Sequence, residues 1–378
     1  MSKSERIYLD YNASTPIDPA VAAVMQNALQ DAFGNPSSSH WAGEPARAMV
    51  ESARQQLADL LGCAPNEIVF TSGGSESNNL ALKGVYFARQ NPDANIVTTQ
   101  VEHPAIVEPC RFLERLGASI TWLPVDTTGR VNPDDLRQAI TADTILVSIM
   151  HANNEVGTIQ PIAECASIAH EHDIPFHTDA AQSVGKIPTR VDDLGVDFLS
   201  IAGHKVYAPK GVGALYVRNG MDPVPLIHGA NHESGRRAGT ESALLTAALG
   251  KACELASDLA PVANVEALRD RLWTTLKENF GDRVVLNGHP IERLPNTLNV
   301  TFEGRVGAEI LSKMPDIAAS TGSACHTGLV ELSAVLAAMG MSQEAGAGAI
   351  RFSLGRTTTE HEIDSVAKQL IHILRSSK

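Results

Sequence analysis

Lys205 stands just beyond an apolar run, Phe198-Leu199-Ser200-Ile201-Ala202, inside the turn Gly203-His204-Lys205. A lysine that ends a buried strand cannot carry its ammonium to water, so desolvation lowers its pKa and frees the amine for a Schiff base with a carbonyl. A lone loop lysine is more commonly just solvated, and here its company argues otherwise. Residues 174–182, Ile-Pro-Phe-His-Thr-Asp-Ala-Ala-Gln, read as a second short strand ending in Asp179 and Gln182. A lysine and an acid at the ends of neighbouring strands suit pyridoxal phosphate: the lysine holds the aldehyde and the carboxylate keeps the ring nitrogen protonated.

Other suggestive residues fall at the ends of similar strand patterns. Thr71-Ser72-Gly73-Gly74-Ser75-Glu76-Ser77 joins a strand to a helix, so its amides and small hydroxyls suit a phosphate at the helix start. It lacks the G-K-[ST] of a P-loop. His103 ends the next strand, and Asn153-Asn154-Glu155 follows another, offering amide donors to the same space. Cys325 lies in a loop of small residues, Ser320 to Gly328, with little to bury it. A free thiol has a pKa near ~8.5, and an adjacent imidazolium, for which His326 is a candidate, lowers it. Arg351, inside the apolar strand Ala349-Ile350-Arg351-Phe352, needs a buried anion: a substrate carboxylate taken bidentately, or an internal Asp or Glu. His228 and His232 have a metal-like spacing, but the glycines around them indicate a loop and no further ligand is at hand, so no metal is expected.

A chain of 378 residues has room for one large and one small domain, each with its own core. With 43% apolar and 19% charged residues it is an ordinary globular sequence. A net charge of -13 without any basic run argues against nucleic acid as a partner. The N-terminus reaches a strand-like Ile7-Tyr8-Leu9-Asp10 without an apolar leader, and no run of about eighteen apolar residues follows, so no membrane partner and a cytoplasmic address are expected. Five cysteines without a C-x-x-C pair read as thiols in a reducing compartment.

The patterning alternates strand and helix from residue 67 to residue 172. Strands are expected at 67–71, 95–100, 119–124 and 144–150, with helices at 76–90, 104–116, 133–140 and 161–172 between and after them. Alternation of this kind predicts an α/β fold with a mostly parallel sheet between helices, whose ligands bind beyond the carboxyl ends of the strands. The reading assigns residues 15–258 to a large domain, and 1–14 with 259–378 to a smaller α+β domain carrying the Cys325 loop.

With these residues in place, the chain resembles the cysteine desulfurases of the nitrogen-fixation and iron-sulfur-assembly type. These belong to the class V aminotransferase family, fold type I pyridoxal phosphate enzymes with an aspartate aminotransferase-like fold. The likeness runs through Asp10-Tyr11-Asn12-Ala13, Thr71 to Asn79, Glu102-His103-Pro104, Asn153-Asn154-Glu155, His177 to Gln182, Gly203-His204-Lys205, Arg237-Ala238-Gly239-Thr240, Gly322-Ser323-Ala324-Cys325 and Arg351-Phe352-Ser353-Leu354. It implies that Lys205 binds pyridoxal phosphate covalently, Asp179 pairs with the ring nitrogen and His103 stacks on the ring. Gln182 and Asn154 bond near the ring hydroxyl, while Gly74, Ser75 and His204 hold the phosphate. Thr240 reaches the phosphate from a second subunit, which implies a homodimer with sites at its interface. Arg351 clamps the carboxylate of L-cysteine, Cys325 takes the sulfur to become a persulfide, and a sulfur-acceptor or scaffold protein follows as partner.

Two departures stand out. Ala202 occupies a position where many of these proteins have a serine reaching the phosphate, a loss of one hydrogen bond, roughly 1 kcal/mol. Ala324-Cys325-His326 is similar instead to the selenocysteine lyases, and Leu332 replaces a usual proline. The expected activity is conversion of L-cysteine to L-alanine. A selenocysteine lyase is the first alternative and a non-catalytic scaffold of the same fold the second.

Overall fold

The computed structural model describes residues 6–89, 91, 93–321, 325–326, 329–330 and 332–376, with backbone alone at 325–326 and 329–330. The main sheet is seven-stranded: β1 (Ile68–Thr71), β2 (Asn95–Thr99), β3 (Ser119–Leu123), β4 (Thr144–Ser148), β5 (Phe176–Asp179), β6 (Phe198–Ala202) and β7 (Gly213–Val217). Their order is β1-β7-β6-β5-β4-β2-β3, parallel from β6 to β3, with β7 antiparallel to both neighbours.

Consecutive strand residues point to opposite faces, and both faces here are apolar. Ile96, Leu146 and Phe198 pack against α3 (Gly74–Arg89) and α4 (Pro104–Glu114). Their neighbours Val97, Val147 and Leu199 pack against α2 (Glu44–Leu61), α6 (Ile162–His170) and α7 (Ala243–Ala256). Helices α1 (Pro19–Asp31) and α5 (Pro133–Ala139) belong to the same half. Helices α2 and α7 approach so closely that a Cβ at Gly250 would lie 2.5 Å from the Ala53 Cα.

A second, antiparallel sheet is built from β8 (Val284–Asn287), β9 (Thr297–Phe302), β10 (Ser320–Thr321) and β11 (Ala349–Ser353), in the order β10-β11-β9-β8. Two long helices, α8 (Ala260–Phe280) and α9 (Glu360–Ser376), cover it. Helix α9 buries Ile363, Val366, Ala367, Leu370 and Leu374, a single stripe at helical spacing. Ile7 and Leu9 join this core, not that of the main sheet. A smaller cluster, in which Val101, Met150 and Val156 meet Val335, Leu336 and Met339, closes the seam between the two halves.

Most element bounds fall within two or three residues of the sequence expectation, and the differences have local causes. The helix expected over 21–33, with Pro19 placed to start it, runs as α1 from Pro19 itself because the Asp18 side chain caps it, accepting from Ala20 N at 2.8 Å. Helix α3 begins at Gly74, so part of the Ser/Gly turn is already helical. Lys205 does not end the strand: β6 stops at Ala202 and the lysine completes a 3-10 turn, Gly203–Lys205. The expected open loop at Cys325 is also corrected, since Cys325–His326 pairs antiparallel with Leu329–Val330.

Candidate active site

The carboxyl ends of β1, β2, β4, β5 and β6 open on one side of the sheet, and a cavity of about 350 Å³ lies there. Gly74, Ser75, His103, Asn154, Asp179, Gln182, His204, Lys205 and Arg351 all line it, contributed by both halves of the chain. The volume is that of a small-molecule or cofactor site.

Lys205 donates to the backbone carbonyls of Asn12, at 2.5 Å, and Ala13, at 2.9 Å. Burial, followed by the Arg351 guanidinium, pushes its pKa down to about 8, against the opposing pull of Asp179 and Asp10. Asp179 is buried, and both its oxygens are held from behind: Oδ2 accepts from Asn78 Nδ2 at 2.7 Å, Oδ1 from Ala181 N at 2.9 Å. His103 caps α4, its Nδ1 accepting from Ala105 N at 3.1 Å; burial lowers its pKa, Asp179 opposing and Lys205 assisting. His204 is pushed down to about 4, chiefly by burial and then by Lys205 and Lys210, so its imidazole is neutral at pH 7.

At the other end of the cavity, Gly74 opens α3. A Cβ there would lie 3.2 Å from the Ala202 Cβ, so the position has little room for any side chain. The turn is braced by Glu76, which accepts from Ser72 N at 2.8 Å and pairs with Arg237 Nε at 2.9 Å. Arg237 thereby fastens the 226–241 loop to the start of α3.

Arg351 has the internal partner that its strand position left open. One NH2 group donates to Asp10 Oδ1 at 2.6 Å and to Ser320 Oγ at 3.1 Å, and the other to the Asn154 carbonyl at 2.9 Å. It lines the cavity while so engaged. Asn153, by contrast, is taken up in structure, its Oδ1 accepting from Glu155 N and Val156 N and its Nδ2 donating to Val101 O. Thr240 is exposed and does not line the cavity of its own chain. His232 uses Nδ1 to accept from Gly239 N at 3.3 Å. The side chains of Cys325 and His326 lie outside the described residues.

Three residues matter more than local sequence patterns suggest. Asn12 supplies the carbonyl that both Lys205 Nζ and Gln182 Nε2 share, while its side chain bonds Asn154 O, Thr297 Oγ1 and Asn296 Nδ2. Asn78 holds Asp179, and Asp10 holds Arg351. For the first and last, the resemblance carried by Asp10-Tyr11-Asn12-Ala13 is the only signal the sequence offers.

The cavity fits pyridoxal phosphate on its own evidence. Asn154 and Asn78 both line it, and each has a buried Oδ1 without a hydrogen-bond partner, a costly arrangement unless an occupant supplies donors. An amine pushed down to about 8, a buried carboxylate and a glycine-opened helix start complete the chemical requirements.

Fold and site together define an α/β protein of the aminotransferase kind, with a lysine and an acid facing one cavity at the strand ends. The sequence profile of the aminotransferase class-V family matches residues 7–366. A protein of Dictyoglomus turgidum named cysteine desulfurase IscS is 48% identical over 98% of this chain and 95% of its own length. Another of that name, from Methanosarcina thermophila, is 45% identical over 99% of this chain and 93% of its own. Among solved structures, a NifS-like protein superimposes with a TM-score of 0.92 at 37% identity, covering 98% of this chain and all, 100%, of the other. SspA in complex with cysteine does so with a TM-score of 0.84 at 39% identity, covering 93% of this chain and 100% of the other. The chain belongs to the aminotransferase class-V family, in its group of NifS- and IscS-like cysteine desulfurases.

Proposed function

We propose that this protein is a pyridoxal-phosphate-dependent cysteine desulfurase that converts L-cysteine to L-alanine and leaves the sulfur as a persulfide on Cys325. The observation that carries the reading is that Lys205 and Asp179 line one cavity with Arg351, in a chain 45–48% identical to proteins of that name.

When bound, pyridoxal phosphate supplies an electron sink for the substrate Cα. Lys205 holds its aldehyde carbon, Asp179 its ring nitrogen, His103 its ring face, Gln182 and Asn154 its hydroxyl, and Gly74, Ser75 and His204 its phosphate. Arg351 receives the carboxylate of cysteine, and Lys205 Nζ moves the proton at Cα. The Cys325 thiolate attacks the substrate sulfur. An S–S bond forms as the Cβ–S bond breaks, the electron pair stays on Cβ, and a proton added there completes the methyl group of alanine.

Thr240 belongs, in this reading, to the site of a second copy. Its exposure on a loop held by the Arg237–Glu76 pair supports a two-fold dimer, as do the exposed Leu29, Phe33 and Trp41. The division into domains of 15–258 and of 1–14 with 259–378 is supported by their separate apolar cores. A cytoplasmic setting agrees with free thiols at Cys63, Cys110, Cys165 and Cys253, and a sulfur-acceptor protein completes the scheme. Among the described residues no helix is long and apolar enough to cross a membrane.

The test is alanine release from cysteine by protein loaded with pyridoxal phosphate, with mass spectrometry for an added sulfur on Cys325. Cys325→Ala abolishes alanine formation while retaining the visible absorption of bound cofactor. Undiminished turnover of cysteine by that variant rejects the mechanism, and turnover of selenocysteine alone moves the assignment to a lyase.

A further inference from the structure

Behind Gln182, one helical turn along the chain, lies Lys186. Its Nζ donates to the Gln182 backbone carbonyl at 2.9 Å and to the Gln182 side-chain Oε1 at 3.2 Å. The same Gln182 side chain donates from Nε2 to Asn12 O at 3.0 Å, the carbonyl that also receives Lys205. Lys186 lines a separate narrow crevice of about 30 Å³, while Gln182 lines the main cavity, so the lysine supports the amide from outside.

An ammonium carries three donors and no acceptor. It therefore fixes which end of the amide faces it: Oε1 turns to Lys186, and the NH2 group turns to Asn12 and the cavity. Among the described residues no carboxylate pairs with Lys186. Burial and the charges of Lys205, Arg351 and Arg356 pull it down to about 7. A half-buried cation among three others, with no counter-ion, does not serve stability, and such placements cluster at functional sites.

We propose that Lys186 is a positioning residue that locks the Gln182 amide as a hydrogen-bond donor toward the cavity, so that the oxygen bound beside Gln182 is held in its anionic form. This rests on the reading of the cavity as a pyridoxal phosphate site, in which that oxygen is the ring hydroxyl. Stabilising the anion there, with a cation close behind, withdraws electron density from the cofactor and makes its nitrogen at Lys205 less basic.

The test is a pH titration of the visible absorption band in protein loaded with pyridoxal phosphate. In wild type, absence of any such band rejects the cofactor reading itself and not the role of Lys186. In Lys186→Met the titration midpoint rises by several tenths of a pH unit, the effect of removing a lysine that is only partly charged near neutral pH, and in Lys186→Arg it does not rise. Gln182→Glu, which keeps an acceptor for Lys186 but has no N–H for the cavity, also raises the midpoint. A wild-type midpoint in Lys186→Met overturns the proposal. If Lys186→Met purifies without cofactor, the Gln182→Glu protein decides, and a wild-type midpoint there overturns it equally.

Discussion

Arg351 grips Asp10 at 2.6 Å across 341 positions of sequence, so the arginine placed to receive a substrate carboxylate already holds a carboxylate of its own. Cysteine must share or displace that partner. Arg351→Gln therefore raises KM for cysteine about 10- to 100-fold, the worth of a charge-assisted hydrogen bond. Asp10→Asn, which removes the competing charge, lowers KM. Steady-state kinetics of the two variants check both directions, and a raised KM in Asp10→Asn shows that Asp10 orients the arginine instead of competing with the substrate.

Lys205 must be a neutral amine to capture an aldehyde. With its pKa at about 8 in place of the ordinary 10.5, capture of pyridoxal phosphate by cofactor-free protein accelerates as pH rises and levels off above about pH 8. Stopped-flow absorbance follows this directly. Lys205→Ala gains no stable visible band and does not turn over.

Ala202 faces the Cβ position that Gly74 leaves empty, where the phosphate is to be held. Adding a hydroxyl at the Ala202 Cβ restores one hydrogen bond, so Ala202→Ser slows cofactor loss about five-fold. Gly74→Ala, which presses a methyl group to 3.2 Å from Ala202, speeds it. Dialysis against cofactor-free buffer with absorbance readings separates the two.

Acid sensitivity follows from His177, enclosed between Ser148 Oγ at 2.8 Å and Ser200 Oγ at 3.0 Å, with its pKa pushed down by burial to about 3. Between the unfolded value near 6.5 and that folded value, the unfolded chain binds a proton that the native state excludes. Stability thus falls as pH falls through this window, by up to about 1.4 kcal/mol per pH unit from this group. Urea denaturation at several pH values shows a shallower slope in His177→Gln.

The main sheet and the strand-end residues were legible because both are local. An apolar run followed by a glycine turn and a lysine needs no knowledge of the rest of the chain, and neither does the alternation that predicts a parallel sheet. What escaped was long-range. Nothing around Asn12 announces that its carbonyl meets Lys205, 193 positions away, and nothing near Arg351 chooses between a substrate and Asp10. Lys186 carries no local sequence signal, because its significance lies in the counter-ion it lacks. The pairing of Cys325–His326 with Leu329–Val330 left no alternation of apolar and polar residues to read.

The segment around Asn12 also sets an order of events in the making of the molecule. Leu9 O accepts from Ser353 N, and Asn12 bonds Asn296 and Thr297, so this segment finds its partners roughly 300 residues further along the chain. Such non-local contacts form slowly, and domains tend to fold as they emerge. The main sheet can assemble while the tail is still being synthesised, but Lys205 does not gain its anchoring carbonyl until the antiparallel sheet closes over the N-terminal segment. Capture of cofactor is thereby deferred until β11 has been synthesised, and a chain interrupted before it carries the lysine without the pocket that makes it reactive.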